Sequence, residues 1–199
     1  MLITGIKSRP IYTTLAPDQC GRCHLLVGQG SGGDALLRLL KEMPDGADFH
    51  VLYAVESLSG TDRSEQLRSY GLPDLHVFFT QAEAIVSLDE TLAGCVMGTR
   101  LYIAGSESFI GSAVQVAMKY NLNADEVQRE HCGSAARRLY CIHCKALNEN
   151  VKTNIIKCVG CDRNLLVRDH YSRRLGAYMG VMVDAEAPGE VPPIQEVFA

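Results

Sequence analysis

Long apolar runs are what this sequence lacks. No segment approaches the roughly 18 consecutive apolar residues of a membrane-spanning helix, which excludes such a helix. The start of the chain, MLITGIKSRP, has no apolar core of a secretory signal either. A cytoplasmic protein without a membrane partner is therefore expected. Disulfides are rare in that compartment, so the eight cysteines are expected as thiols or metal ligands. Apolar residues still make up 47% of the chain, enough for a real core. At 199 residues there is room for one ordinary domain and a small module.

The cysteines are spaced to a purpose. Cys141-Ile-His-Cys144 is followed, after thirteen residues, by Cys158-Val-Gly-Cys161. A tight turn aims both thiolates of a CxxC pair the same way, and two such turns supply four sulfurs in a tetrahedron. The spacer is a little short for such sites but leaves room for one strand out and one back. It holds a turn-like Asn148-Glu-Asn150 and an alternating run ending at Ile155-Ile156. The pattern reads as a zinc ribbon with Cys141, Cys144, Cys158 and Cys161 as ligands of a structural Zn²⁺. Iron accepts four thiolates as well, and unlinked core cysteines or two disulfides are the bland alternatives. A third pair, Cys20-Gly-Arg-Cys23, precedes the first apparent strand and so lacks the strand-then-helix setting of a redox pair. Its cysteines read as reduced thiols, with His24 as a neighbour for any metal role.

Charge is segregated. Residues 1–133 hold 10 Lys and Arg against 16 Asp and Glu, residues 134–174 hold 9 against 3, and residues 175–199 hold 0 against 4. A basic ribbon raises the question of nucleic acid. Aromatics for base stacking are sparse there, so balancing its own neighbours or a protein partner explains the block better. Arg168, Asp169, His170, Tyr171, Arg173 and Arg174 form a dense polar stretch suited to docking.

Ahead of the cysteines the pattern alternates strand and helix. His24–Val27 is a short apolar strand, and Gly28-Gln-Gly-Ser-Gly-Gly33 follows at once. Asp34 can cap a helix whose apolar positions are Leu36, Leu37, Leu39, Leu40 and Met43. Further strands are predicted at Phe49–Val55, Leu75–Phe79, Thr99–Ala104 and Glu126–His131, the last at an edge. Helices are predicted within 57–73, over 82–93 and after Ser106, an N-cap, with Phe109, Ile110, Ala113, Val114, Ala117 and Met118 as its apolar stripe. The implied fold is α/β: a doubly wound, mostly parallel, Rossmann-like sheet followed by the small ribbon. The expected divisions are an extension over 1–23, the α/β domain over 24–133, the ribbon over 134–174 and a partner-binding tail over 175–199. Gly28, Gly30 and Gly33 could let the backbone approach a phosphate at the helix N-terminus, with Glu56 placed for a ribose hydroxyl. Tight strand-to-helix turns also need glycine for steric reasons alone.

Residues 24–132 resemble the nicotinamide-binding half of the ferredoxin-reductase superfamily, through the loop Gly28–Gly33 and the late turn Ala104-Gly105-Ser106. Ala104 stands where many such reductases carry a cysteine, and no flavin-binding barrel precedes residue 24. The stretch from the second CxxC through Asp162-Arg-Asn-Leu-Leu-Val-Arg-Asp-His-Tyr-Ser-Arg-Arg-Leu-Gly-Ala-Tyr-Met-Gly-Val181, with the tail Pro188-Gly-Glu-Val-Pro-Pro193, resembles the zinc-binding C-terminal domain of the DmmA-like family, the small subunits of bacterial haem-dependent dimethylamine monooxygenase. That resemblance spans nearly the whole chain. It implies an accessory, noncatalytic subunit of an NADPH-dependent, haem-containing complex that demethylates secondary amines. Haem, FMN and iron–sulfur would then sit only on partner subunits, and this chain would support assembly or electron transfer between them. A nicotinamide-nucleotide-binding module is the alternative, and a nucleic-acid-binding ribbon is a weaker third.

Overall fold

The structure, a computed structural model of the chain, describes residues 8–44 and 46–198. They form two compact units, residues 12–134 and residues 8–11 with 135–198.

The first unit is a parallel sheet covered on both faces. Its strands are β1 (Cys23–Gln29), β2 (Phe49–Ala54), β3 (Leu75–Phe78), β4 (Thr99–Gly105) and β5 (Val127–His131). They lie in the order β3-β2-β1-β4-β5, all parallel. Every residue of β1 is buried, as a central parallel strand requires. Strand alternation divides its side chains between two cores. Leu25 and Val27 join Leu52, Leu101 and Ile103 beneath helices α3 (Gln81–Ala93) and α4 (Glu107–Lys119). Leu26 joins Val51, Tyr53 and Tyr102 beneath α1 (Gly32–Glu42) and the short α2 (Ser64–Ser69). Full burial of one such leucine contributes about 1.5–3 kcal/mol.

Helix α1 begins at Gly32, with Ser31 rather than Asp34 in the cap position. The start is early because the two glycines lie against the sheet. A β-carbon on Gly32 would stand 2.1 Å from the Ala104 carbonyl oxygen. Asp34 falls in the first turn instead, where a carboxylate suits the helix dipole, and accepts a hydrogen bond from Arg63 Nε at 2.7 Å. Ser106 caps α4 as expected, its Oγ accepting from the Phe109 N–H. Of the expected stripe on α4, Phe109, Ile110, Ala113 and Ala117 are buried, but Met118 is exposed and Val116 is buried in its place. The stripe thus keeps the i, i+4, i+7 geometry that one helix face demands. Thr80 and Glu83 form a reciprocal capping box on α3.

Residues 13–16, ahead of β1, bond to β5. Thr13 N–H donates to the Arg129 carbonyl, Leu15 N–H to Glu130 and Ala16 N–H to Gln128, so this segment covers the free edge of β5.

The second unit holds a five-stranded sheet: β6 (Arg137–Cys141), β7 (Leu147–Val151), β8 (Ile155–Lys157), β9 (Asn164–Ser172) and β10 (Ala177–Met182). Its order is β7-β6-β10-β9-β8, with only the β6–β10 pair parallel. The central strand β10 lies beyond residue 174, where the charge pattern places the end of the module. The following segment also folds back: Gln195 N–H donates to the Asn154 side chain, and Val197 and Phe198 N–H groups donate to the Lys152 carbonyl. The buried Arg137 lies between the Tyr178 and Phe198 rings, 3.9 Å from each centroid.

Candidate metal centre

The two CxxC turns sit at the β6–β7 and β8–β9 connections and bring their four sulfurs together. All four lie within 4.8 Å of one another. Cys141 and Cys161 sulfurs are 3.9 Å apart and those of Cys144 and Cys158 are 3.6 Å apart. Metal–sulfur bonds of about 2.3 Å in a tetrahedron require sulfur separations of about 3.8 Å. The thiols are free and form no disulfide. The donor set thus fits one tetrahedral, thiophilic metal ion.

The turns share one backbone design. Cys141 N–H donates to the Ala146 carbonyl and Lys145 N–H to the Cys141 carbonyl; Cys158 N–H donates to the Arg163 carbonyl and Asp162 N–H to the Cys158 carbonyl. Each turn closes through a left-handed residue directly after its second cysteine, Lys145 at φ 69° and Asp162 at φ 57°. Donors then converge on sulfur. Backbone N–H and guanidinium of Arg163 both point at Cys161 and pull its thiol down to about 6. Cys144 receives the Ala146 N–H, but burial and its bonds to the other three sulfurs push it up to about 12. Four thiols this close resist joint ionisation, and a cation removes that repulsion.

Asn148 is a residue that sequence reading missed. It lies in β7 rather than in a turn, almost fully buried. Its side chain accepts from Val159 N–H at 2.9 Å and donates toward Cys158 Sγ at 3.9 Å, tying the first hairpin to the second turn. Nothing in the spacing marks it, because an Asn beside Glu149 and Asn150 reads as a turn. His143, inside the first CxxC, is no ligand: its Nε2 accepts from the Met182 N–H.

The other expected positions lie apart. Gly28 and Gly33 sit where α1 packs on the sheet. A β-carbon on Gly28 would meet Leu36 at 2.7 Å, and one on Gly33 would meet Arg63 at 2.6 Å. Gly30 turns the chain at φ 54° beside Ser57. The Glu56 carboxylate accepts the Gln81 N–H at 2.9 Å. Cys20 is exposed in a turn, whereas Cys23 is the buried first residue of β1. The polar stretch of β9 is split at a bulge in its pairing with β10: Arg168 and His170 are exposed, Asp169 is half-buried and Tyr171 is buried. Asp169 is held by Arg9 at 2.5 Å and by Arg137 at 2.8 Å.

No helix among the described residues is long and apolar enough to cross a membrane.

Among solved structures, the chain is 16% identical to an intact type IV self-sufficient cytochrome P450 monooxygenase. That match has a TM-score of 0.46 and covers 87% of this chain and 22% of that one. It is 13% identical to the Amycolatopsis cytochrome P450 reductase GcoB, with a TM-score of 0.40 and coverage of 57% and 38%. The chain thus spans less than half of either protein. In sequence, residues 4–127 match the N-terminal domain and residues 138–181 the C-terminal domain described as "Dimethylamine monooxygenase subunit DmmA-like". The chain is also 30% identical over 165 residues to the "Heme-dependent oxidative N-demethylase delta subunit" of Ectopseudomonas mendocina (strain ymp), covering 83% of this chain and 82% of that one.

Proposed function

The chain belongs to the dimethylamine monooxygenase DmmA-like family, and from that premise we propose that it is a zinc-stabilised, noncatalytic subunit of a haem-dependent oxidative N-demethylase. The observation that carries this reading is the relationship to a delta subunit of such an enzyme across both units. The complex would be NADPH-dependent and cytoplasmic and act on secondary amines. Haem would reside on one partner, and flavin and iron–sulfur on a reductase partner. This chain would support their assembly or the passage of electrons between them.

The four-cysteine site supports a structural role for its metal. Structural zinc takes four protein ligands, whereas catalytic zinc keeps a position open for water or substrate. Zinc held by Cys141, Cys144, Cys158 and Cys161 would pin the ends of the β6–β7 and β8–β9 hairpins. The sheet they cap would then be a zinc ribbon extended by β10.

Co-expression with the haem and reductase subunits tests the proposal. The expected result is co-purification of this chain with both, and loss of demethylation when it is omitted. A complex that forms and turns over fully without it would overturn the reading.

A second reading has one observation in its favour. The strand order reverses between β1 and β4, and ligands of open parallel sheets bind outside the strand ends at such a point. The turn at Gly28, Gly30 and Gly33, with Glu56 nearby, would then take a nicotinamide nucleotide in a Rossmann-like manner. Titration of the purified chain with NADPH separates the two readings, since the first requires no binding.

A further inference from the structure

The opposite end of the parallel sheet holds a second group of metal-binding side chains. Cys23 opens β1, Asp48 immediately precedes β2, and His50 is its second residue. Alternation puts Cys23 with Leu25, and Asp48 and His50 with Leu52, on the face that α3 and α4 cover. Register places His50 beside Leu25, so the three converge at the N-terminal edge of the sheet. The Cys23 sulfur, an Asp48 carboxylate oxygen and a His50 ring nitrogen all lie within 4.8 Å of one another.

Asp74, just before β3, orders this group. Its Oδ2 holds His50 Nδ1, and its Oδ1 lies 2.7 Å from His76 Nε2. A carboxylate on one ring nitrogen fixes the imidazole and leaves the other nitrogen with its lone pair for a metal. Ligand atoms around a tetrahedral zinc stand about 3.3–3.8 Å apart. Closing on a metal therefore requires at most about 1.5 Å of adjustment, and Asp48 is exposed and free to supply it.

We propose that Cys23, Asp48 and His50 form a second metal site, separate from the four-cysteine centre, that takes a zinc-class divalent ion. One sulfur, one nitrogen and one oxygen suit Zn²⁺ or Co²⁺ rather than Mg²⁺ or Ca²⁺, which prefer oxygen alone. Three protein ligands leave the fourth position to water or to a group from outside the chain. The ion ties β1 to β2 and, through Asp74, to β3. Cys20 is not one of its ligands, so the third CxxC functions as half a pair.

Titration of the full chain with Co²⁺, after a chelator has removed resident metal, tests this. The four-thiolate centre fills first and gives intense thiolate-to-cobalt absorption. A second, weaker equivalent follows, with a smaller increment from one thiolate. Asp48→Asn and His50→Ala should each stop at one equivalent, with the four-thiolate spectrum unchanged. Cys20→Ser should still take two. Asp48 is exposed, so its variant carries the test if His50→Ala proves unstable by circular dichroism. Wild-type protein that stops at one equivalent overturns the proposal. So does an Asp48→Asn variant that takes two, or a Cys20→Ser variant that takes one.

Discussion

Lys145 and Asp162 occupy equivalent places in the two cysteine turns. Each follows the second cysteine of its pair, adopts a left-handed backbone at φ 69° and 57°, and donates its N–H to the first cysteine's carbonyl at 3.0 Å. Neither side chain is a metal ligand, yet each backbone decides whether its two thiols point the same way.

Substitution at these positions should therefore track backbone strain rather than charge. A left-handed conformation costs a residue with a β-carbon about 1–2 kcal/mol. Lys145→Gly should be neutral or stabilising, whereas Lys145→Val, whose branched β-carbon makes this conformation an outlier, should destabilise the metal-loaded protein. Chemical denaturation with zinc present measures both. Equal stability of the two variants would show that the turn does not depend on this conformation.

Metal analysis should find about one zinc per chain at the four cysteines in protein purified without added metal. Metal binding and folding are coupled at such sites. Cys158→Ser should therefore unfold the β6–β10 sheet while the parallel-sheet unit keeps its helical circular dichroism. Protein that is fully folded and free of any metal would refute the centre.

The glycines of the β1–α1 turn should differ sharply in tolerance from those in open loops. Gly32→Ala drives a β-carbon to 2.1 Å from the Ala104 carbonyl oxygen, a backbone group that cannot swing aside. A loss of about 1–3 kcal/mol is expected from such overpacking. Gly94→Ala, whose nearest neighbour would stand at 3.7 Å, should be neutral. Thermal melts of both variants provide the comparison. If a nucleotide binds, Gly30→Val should abolish it.

Acid should weaken the second unit through Asp169. Burial opposes its charge, but hydrogen bonds from Arg9 and Arg137 outweigh this and hold its carboxyl below the usual range. A depressed folded value means that the stabilisation is complete above the unfolded value, near pH 4, and is lost as pH falls through the folded one. Asp169→Asn should remove that pH dependence. It should also cost about 3 kcal/mol, the low end for breaking a buried pair, because Arg137 stays buried. Urea melts at pH 3 and pH 7 check both statements.

Assembly should depend on Arg173 and Arg174, which are exposed in the β9–β10 turn. Charge reversal at both should leave zinc content intact and weaken co-purification of the partner subunits, most visibly at low salt, where such contacts are least screened. If the doubly substituted chain assembles like wild type at moderate salt, the basic segment serves this chain's own charge balance.

Local pattern makes much of this molecule legible. The order of strands and helices through residue 131 follows from apolar periodicity, and the four clustered cysteines follow from two short spacings. These signals are local, since a strand, a helix or a CxxC turn is specified within a few residues. Asn148, Arg137 and the pair Lys145 and Asp162 carry no such signal, because their partners lie on other strands or in backbone geometry. The stretch at 168–174 reads as one surface along the chain, but a bulge in β9 leaves Arg168 and His170 exposed and buries Tyr171.

The sequence by itself determined the α/β alternation, the family and the identity of the four clustered cysteines, because each rests on residue type at fixed spacing. Tertiary structure alone decided that β10 completes the second sheet from beyond the basic segment. It also decided that Cys23 lies beside Asp48 and His50. Both outcomes depend on strand order and register, which bring distant residues side by side. No spacing along the chain encodes which strands become neighbours.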